Sequence, residues 1–419
     1  MNARVLTLGV AEAEAAGGDE APGIAVARAL RADGLAVAAR AVVEEEEAAL
    51  EAVLGPALEQ PGIVVILAPP GGSAGDVVRR VLARLASVRL VLSERLLRLL
   101  EEEHARRGRA LPRRLERLAL LPQGAQIWAA EGGGSSGASG GAGWSLEVRG
   151  ALVAVLPLDA PDLGVLIEQH LRPAARERAG AGGVTLVRVL RTTGLAPAEA
   201  EERLAGWLGK EGPVTVSCLV VDGDVWVRLV ARAASRGLAE AALAAAEAPL
   251  RAALGADCYG ADAESLEEAV GALLRARGLA VSTAESCTGG LVAHRLTNVP
   301  GSSRYVERGV VVYSNEAKEE MLGVPRDLLR AHGAVSAPVA EAMARGICRV
   351  GGTACGIAIT GIAGPDGGSA EKPVGTVFVA VAAPAGVTVR RFRFLGGRNA
   401  VKWQSAQAAL DMLRRALSG

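Results

Sequence analysis

The sequence predicts an α/β chain of three units: an amino-terminal α/β domain, a small α+β unit and a carboxy-terminal α/β layered domain. Three observations predict it. Short apolar runs alternate with helical patterns at both ends of the chain, a strand-helix-strand-strand-helix order fills the middle, and 419 residues exceed one ordinary core.

In the first unit, residues 4–10, 35–43 and 62–68 are short apolar runs, each followed by a helical pattern such as "SAGDVVRRVLARLA". That spacing predicts a parallel sheet with helices on both faces. Strand-like stretches around Trp128 and over 145–156 flank "EGGGSSGASGGAG", whose composition predicts a flexible loop. The run "ARRGRALPRRLERL" at 105–118 interleaves arginines with leucines at helical spacing and reads as a solvated helix face before it reads as a nucleic-acid surface. The polar stretch "RPAARERAGAGG" places the end of the domain near 178.

The second unit, 179–262, runs "VTLVRVL", "PAEAEERLAGWLG", "VTVSCLVV", "DVWVRLVAR" and "LAEAALAAAEAPLRAALG", with Asp222-Gly223 as the hairpin turn. The order resembles a KH-type module. No G-x-x-G clamp of the kind that holds a nucleotide backbone stands between its helices, so a spacer is the expected role.

The third unit, 263–419, opens with helix "ESLEEAVGALLRARG" and strand 279–285. A Ser-Cys turn, a helix, strand "GVVVYS", helix "NEAKEEMLG", a helix from near Ser336, strand "GIAIT", a Gly-rich loop and strand "GTVFVAVAA" follow. A strand near 388–394 and a helix over 399–417 close it. Ligands in such sheets sit at the loops beyond the strand ends.

Composition removes several classes of function. Lys+Arg and Asp+Glu both number 46, so no global positive field gathers nucleic acid or anionic lipid, and aromatic residues are only 3% of the chain, too few for base-stacking platforms. Five cysteines without a C-x-x-C pair speak against a disulfide framework or a structural zinc site and suit a reducing cytoplasm. The start "MNARVLTLGVAEAEAAGGDE" lacks the apolar stretch of a secretory signal, and no segment reaches the ~18 apolar residues of a membrane span. The expectation is a cytoplasmic protein without membrane contact.

Three segments gather polar residues at strand ends: "AESCTGG" at 284–290, "YSNEAK" at 313–318 and "TGIAGPDGGSAEKPVGT" at 360–376. In the first, Ser286 or Thr288 could simply cap the next helix while Gly289-Gly290 allow close packing; alternatively the helix start offers free amides to a phosphate or an oxyanion. Lys318, early in a helix, would have its pKa lowered by burial and could serve as a general base, or it could be exposed and pair with Glu316 or Glu319. The third segment is an ordinary long loop, or one whose glycines let backbone approach a ligand while Thr360 and Thr376 bond to it. His294 points along a helix body, His332 precedes a turn glycine, and His104 and His170 lie in the first domain, so a Ser-His-Asp arrangement is disfavoured. With no histidine to activate Cys287, a Ser286–Lys318 pair is the better candidate.

"TAESCTGGLVAHRLTNVPGSS", "GVVVYSNEAKEEMLGV", "HGAVS" and "AITGIAGPDGGSAEKPVGTV" together resemble the carboxy-terminal domain of the CinA family, the competence/damage-inducible proteins, which is similar to stand-alone nicotinamide mononucleotide deamidases. The resemblance spans 264–419. The full order also resembles the family's: a molybdopterin-biosynthesis-like domain at 1–178, a KH-like domain, then the deamidase domain. It implies hydrolysis of the carboxamide of nicotinamide mononucleotide without a cofactor or metal, with Ser286 as nucleophile, Lys318 as base and Tyr313 and Thr360 assisting. Arg398 would contact the substrate, at its phosphate, and Thr288, Gly289, Gly290, Asn315, Gly361, Gly364 and Thr376 would line the site. It also implies self-association, as a dimer. A non-catalytic role in DNA uptake or recombination is the alternative that the family name suggests.

The amino-terminal domain departs from that family's pattern. "GVAEAEAAG" at 9–17 stands for G-T-E-L-L-x-G, and "PPGGSAGDV" at 69–77 keeps Gly72 and Asp76 of G-G-x-G-P-T-x-D-D but has Val77 for the second aspartate. The Gly/Ser run at 132–143 replaces a substrate loop, and "LDAPDLG" at 158–164 replaces G-V-P-S-E-M. The expectation is a domain without a divalent metal and without ADP-ribose pyrophosphatase activity.

Overall fold

The structure, a computed structural model, describes residues 2–9, 22–130, 142–158, 162–179 and 183–418. The departures read at 9–17 and 132–143 therefore lie outside the described residues except for Gly9, Ala142 and Gly143, as do residues 159–161 of the 158–164 stretch. The chain divides into two compact units, 1–187 with 230–243 and 188–229 with 244–419.

The first unit contains β1 (Asn2–Leu8), β2 (Ala36–Val43) and β3 (Gly62–Ala68), separated by helices Pro22–Ala32 and Glu47–Ala57. Helix Gly72–Leu85, β4 (Leu90–Leu92), helix Glu94–Arg106, β5 (Leu120–Pro122), β6 (Gln126–Trp128), β7 (Gly143–Val148), β8 (Ala151–Pro157) and a helical stretch over 163–179 follow. The main sheet runs β2-β1-β3-β8-β7-β6. "GIVVILA" in β3 is buried along its whole length, which is why it reads as a continuous apolar run instead of an alternation. Leu6, Val64 and Ile66 face one apolar layer and Val5, Ile63 and Val65 the other, so helices cover both faces.

Two expectations need correction here. The sheet is not wholly parallel: β7 pairs antiparallel with both β6 and β8, and Arg149 and Gly150, at φ 52° and 84°, make the turn of the β7–β8 hairpin. Nor is 105–118 one helix face. The helix ends at Arg106, and Pro112 starts a separate 3-10 turn over Arg113–Ala119.

The middle sheet holds β9 (Val184–Thr192), β10 (Val214–Val221), β11 (Asp224–Ala233) and β12 (Cys258–Ala261) in the order β10-β11-β9-β12. Asp222 and Gly223, at φ 52° and 91°, form the predicted two-residue hairpin turn, with both central residues left-handed. Strand β12 is absent from the sequence reading; its four residues, "CYGA", are too few to show a period.

The last sheet contains β13 (Val281–Glu285), β14 (Val306–Val311), β15 (Cys355–Gly361), β16 (Thr376–Ala383) and β17 (Gly386–Arg393), ordered β14-β13-β15-β16-β17. Val281, Ile357, Ile359 and Val377 pack on helices Leu266–Arg277 and Arg398–Ser418. On the other face Ala284, Ala358 and Ala380 meet Met343 and Ile347 of helix Ala337–Gly351. Small residues let that helix come close: a Cβ on Gly356 would stand 2.9 Å from Ala344 O. Helix Arg326–His332 has no counterpart in the sequence reading.

β14 and β15 lie on opposite sides of β13 and both run parallel to it. The chain leaves β13 in one direction and returns on the other, so a crevice opens beyond its carboxyl end, the usual ligand position in open α/β sheets. Ser286 is the first residue past that end.

Candidate active site

The turn 286–290 is held from below. Glu285, the last residue of β13, is fully buried, and its carboxylate accepts hydrogen bonds from the amides of Gly290 (3.1 Å), Val292 (3.1 Å) and Ala293 (2.9 Å). A buried charge is tolerable there because three donors and the helix start compensate it. The capping reading is thereby corrected: neither Ser286 nor Thr288 caps helix Leu291–Thr297. Of the amides expected to be free for a ligand, those of Gly290, Val292 and Ala293 are engaged by Glu285. Gly289 and Gly290, at φ 63° and 95°, supply the left-handed backbone that returns the chain over the carboxylate.

Removing the charge tests this arrangement. Glu285→Gln keeps one acceptor and turns an NH2 toward amide donors, so it is expected to destabilise the protein by about 2–3 kcal/mol, read as a lower urea midpoint.

Strand β14 ends at Val311, two residues before the expected Tyr313–Ser314 terminus. Its partner β13 ends there too, with Glu285 opposite Val311, and the Val312 amide makes the last bond, to Glu285 O at 2.8 Å. Beyond it the carbonyls of Val312 (2.8 Å), Tyr313 (3.3 Å) and Ser314 (3.4 Å) accept from the side-chain nitrogen of Lys318. Ser314 caps helix Asn315–Leu322 by accepting from the Ala317 amide, so Lys318 sits in the first turn with its side chain pointing inward. It is 1% exposed, and its Nζ lies 3.2 Å from Ser286 Oγ. Burial lowers its pKa below the ordinary 10.5. Neither neighbouring glutamate pairs with it; Glu319 bonds to Arg326 instead.

Cys287, next in the chain, is buried too, and burial pushes its thiol up to about 12. It is a poor thiolate. The histidines lie elsewhere in bonding: His294 contacts the Asn298 side chain at 3.2 Å, His104 the Leu100 carbonyl at 2.9 Å and His170 the Ala129 carbonyl at 2.8 Å.

The other candidates fall around this pair in different ways. Arg398, at the start of the last helix, donates to Gly364 O at 2.7 Å and to the Tyr313 hydroxyl at 3.0 Å, tying the Gly-rich loop to the Tyr313 segment. Tyr313 is itself exposed, as is Asn315. Thr360 Oγ1 donates to Ala334 O at 2.8 Å, a structural bond that leaves only its lone pairs for a ligand. Thr288 and Thr376 are buried with hydroxyls that have no partner among the described residues, and Gly361 closes β15 against Val377. Sequence reasoning missed Glu285 altogether, although it stands inside the quoted "AESCTGG". A carboxylate directly before the turn was the available signal.

Among the described residues no group of His, Cys, Asp and Glu side chains is placed to hold a metal ion, and no helix is long and apolar enough to cross a membrane.

Comparison with known proteins adds a family. The CinA C-terminal domain matches residues 263–417, and the damage-inducible protein CinA KH domain matches 187–260. A CinA-like protein of Geobacter sulfurreducens is 40% identical over 393 residues, covering 94% of each chain. A CinA-like protein of Gloeobacter violaceus is 37% identical over 377 residues, 89% of this chain and 87% of its own. Among solved structures, the competence/damage inducible protein CihA from Agrobacterium tumefaciens is 46% identical, covering 37% of this chain and 94% of its own at a TM-score of 0.36.

Proposed function

The chain belongs to the CinA family, and from that premise we propose that its carboxy-terminal domain is an amidohydrolase converting nicotinamide mononucleotide and water to nicotinate mononucleotide and ammonia. The observation that supports this best is the buried Lys318 amine 3.2 Å from Ser286 Oγ, beyond the end of β13. An unprotonated lysine has two N–H donors and one lone pair. Val312 O and one of the two longer carbonyls take the donors, which leaves the lone pair for the Ser286 hydroxyl proton.

Ser286 Oγ attacks the carboxamide carbon as Lys318 removes its proton. Of the amides in the turn, Glu285 engages that of Gly290 and Ser286 O that of Gly289, so the oxyanion would have to be met by those of Thr288 and Cys287, which these bonds do not use. Lys318 then passes the proton to the amide nitrogen, the C–N bond breaks and ammonia leaves a nicotinoyl ester on Ser286. Water adds to the ester, Lys318 takes its proton and returns it to Oγ, and nicotinate mononucleotide departs. Ammonia release from nicotinamide mononucleotide by the full chain, with the product identified, tests the reading. No turnover by a folded chain would leave the binding-protein role suggested by the family name.

The amino-terminal domain is proposed to be inert toward ADP-ribose. Asp76, the one carboxylate left in "GGSAGDV", is paired with the buried Arg79 and lies 3.4 Å from Arg117, so its charge is already compensated where a metal would need it. Full-length protein incubated with ADP-ribose and magnesium is expected to form no AMP; AMP formation lost in Asp76→Ala would show that one carboxylate is enough.

A further inference from the structure

Helix Leu291–Thr297 follows the nucleophile's turn directly, and among the described residues Arg295 makes its only side-chain hydrogen bonds to other elements; His294 bonds to Asn298, and Thr297 to carbonyls of its own helix. Arg295 is buried. Its Nη2 donates to Glu267 Oε2 and to Gln407 Oε1, both at 2.7 Å, and its guanidinium lies 4.4 Å over the Trp403 ring. Nε and Nη1 have no hydrogen-bond partner among the described residues, so the bonds from Nη2 and the ring beneath are what hold the charge in place.

Gln407, on helix Arg398–Ser418, is buried with Arg295 and passes the contact on. A side-chain amide has one accepting end and one donating end. With Oε1 turned to the Arg295 cation, Nε2 faces away and donates to Asp224 Oδ2 at 2.6 Å. A cation at one end and an anion at the other fix the amide in one of its two orientations, because the flipped one would set Nε2 against the guanidinium and Oε1 against the carboxylate. Asp224 opens β11, just after the Asp222-Gly223 turn, with the Thr193 side chain and the Gly194 amide as further donors. Burial, with a smaller contribution from Asp411, raises its pKa to about 6. Asp411 is itself compensated by Arg414 and Arg415. Ionised at neutral pH, Asp224 keeps its charge at a cost in stability, a pattern commoner in carboxylates that serve function than in those that only hold a fold.

We propose that Asp224 is a positioning residue for the catalytic turn: through Gln407 it orients Arg295, and through Arg295 the helix that anchors residues 286–290. Glu285 pins the start of that helix and Arg295 its last turn, so Ser286 Oγ and the amides beside it keep their aim only while both ends hold. Strand β11 of the middle sheet thereby acts on the reaction without touching the substrate, which goes beyond the spacer expected of that unit. The proposal rests on the amidohydrolase reading for the reaction it affects and not for the contacts.

The test exchanges the amide and the carboxylate and reads kcat and KM for ammonia release from nicotinamide mononucleotide by the full chain. Asp224→Asn presents an NH2 to the Gln407 amide, and Gln407→Glu sets a second carboxylate against Asp224; each is expected to lower kcat about three- to tenfold with KM little changed. In the double variant the new amide donates to the new carboxylate, which still accepts from Arg295, so kcat should return close to the wild-type value. Losses that add in the double variant, or single variants with wild-type kcat, overturn the proposal. Should Gln407→Glu fail to fold, Gln407→Ala replaces it: adding Asp224→Asn to that variant should cost nothing further, and a further loss overturns the proposal. If the folded wild-type chain releases no ammonia, the amidohydrolase reading fails, and amide hydrogen exchange over 286–298 decides the positioning role independently. Exchange about three- to tenfold faster in Asp224→Asn and restored in the double variant upholds it; unchanged exchange overturns it.

Discussion

Ser286→Ala is expected to lower nicotinamide mononucleotide deamidation about a thousandfold or more, whereas Cys287→Ala keeps most of it. The two residues are adjacent, and chemistry alone would favour the thiol, the better nucleophile of the two when ionised. The surroundings reverse the preference. Burial holds the Cys287 thiol up at about 12, so almost none is thiolate at neutral pH, and its side chain packs into the apolar layer beside Val292 and Ile359. Ser286 faces a buried amine at 3.2 Å and keeps 8% of its surface open to the crevice. Steady-state ammonia release by the two variants separates the possibilities. Inactivation by a thiol alkylator that Cys287→Ala abolishes would move the assignment to the cysteine.

The ease with which this pair was legible in the sequence has a physical basis. A residue just past a strand end, followed by two glycines and a helix, must emerge where the sheet presents its carboxyl ends, and that local pattern needs no knowledge of the rest of the chain. The same holds for the long alternating and continuous runs of β3, β15 and β16, each of which is dictated by burial on one face or two. What the sequence hid depends on partners distant in the chain or on short elements. Strand β12 exists because Cys258–Ala261 pairs with the end of β9, and four residues do not show a period. β14 ends where its partner β13 ends, Glu285 opposite Val311, and the carbonyls beyond turn to Lys318, several residues later. Glu285 reads as one polar residue in an apolar strand until its three amide donors are seen to come from beyond the turn.

Lys318→Arg is expected to be almost as damaging as Lys318→Ala, both losing at least about a hundredfold in kcat/KM, the typical contribution of a general base. Arginine would keep a positive charge near Ser286 but cannot give up its proton at neutral pH. Substantial activity in the arginine variant would mean that the site needs only the charge. The pH profile carries the same logic with a fixed sign. A base works unprotonated, so wild-type kcat/KM should rise with pH through an ionisation below the ordinary 10.5 of lysine, because burial disfavours the ammonium. Stability must follow. The unfolded chain holds a proton on Lys318 up to about that ordinary value, and the folded chain loses it earlier, so between the two values unfolding takes up protons and the folded state gains stability as pH rises. Compared with Lys318→Met, which has no such group, wild-type protein should therefore gain urea resistance with rising pH in that window. If the difference between the two stays flat while activity still rises, the titrating group seen in the rate is not Lys318.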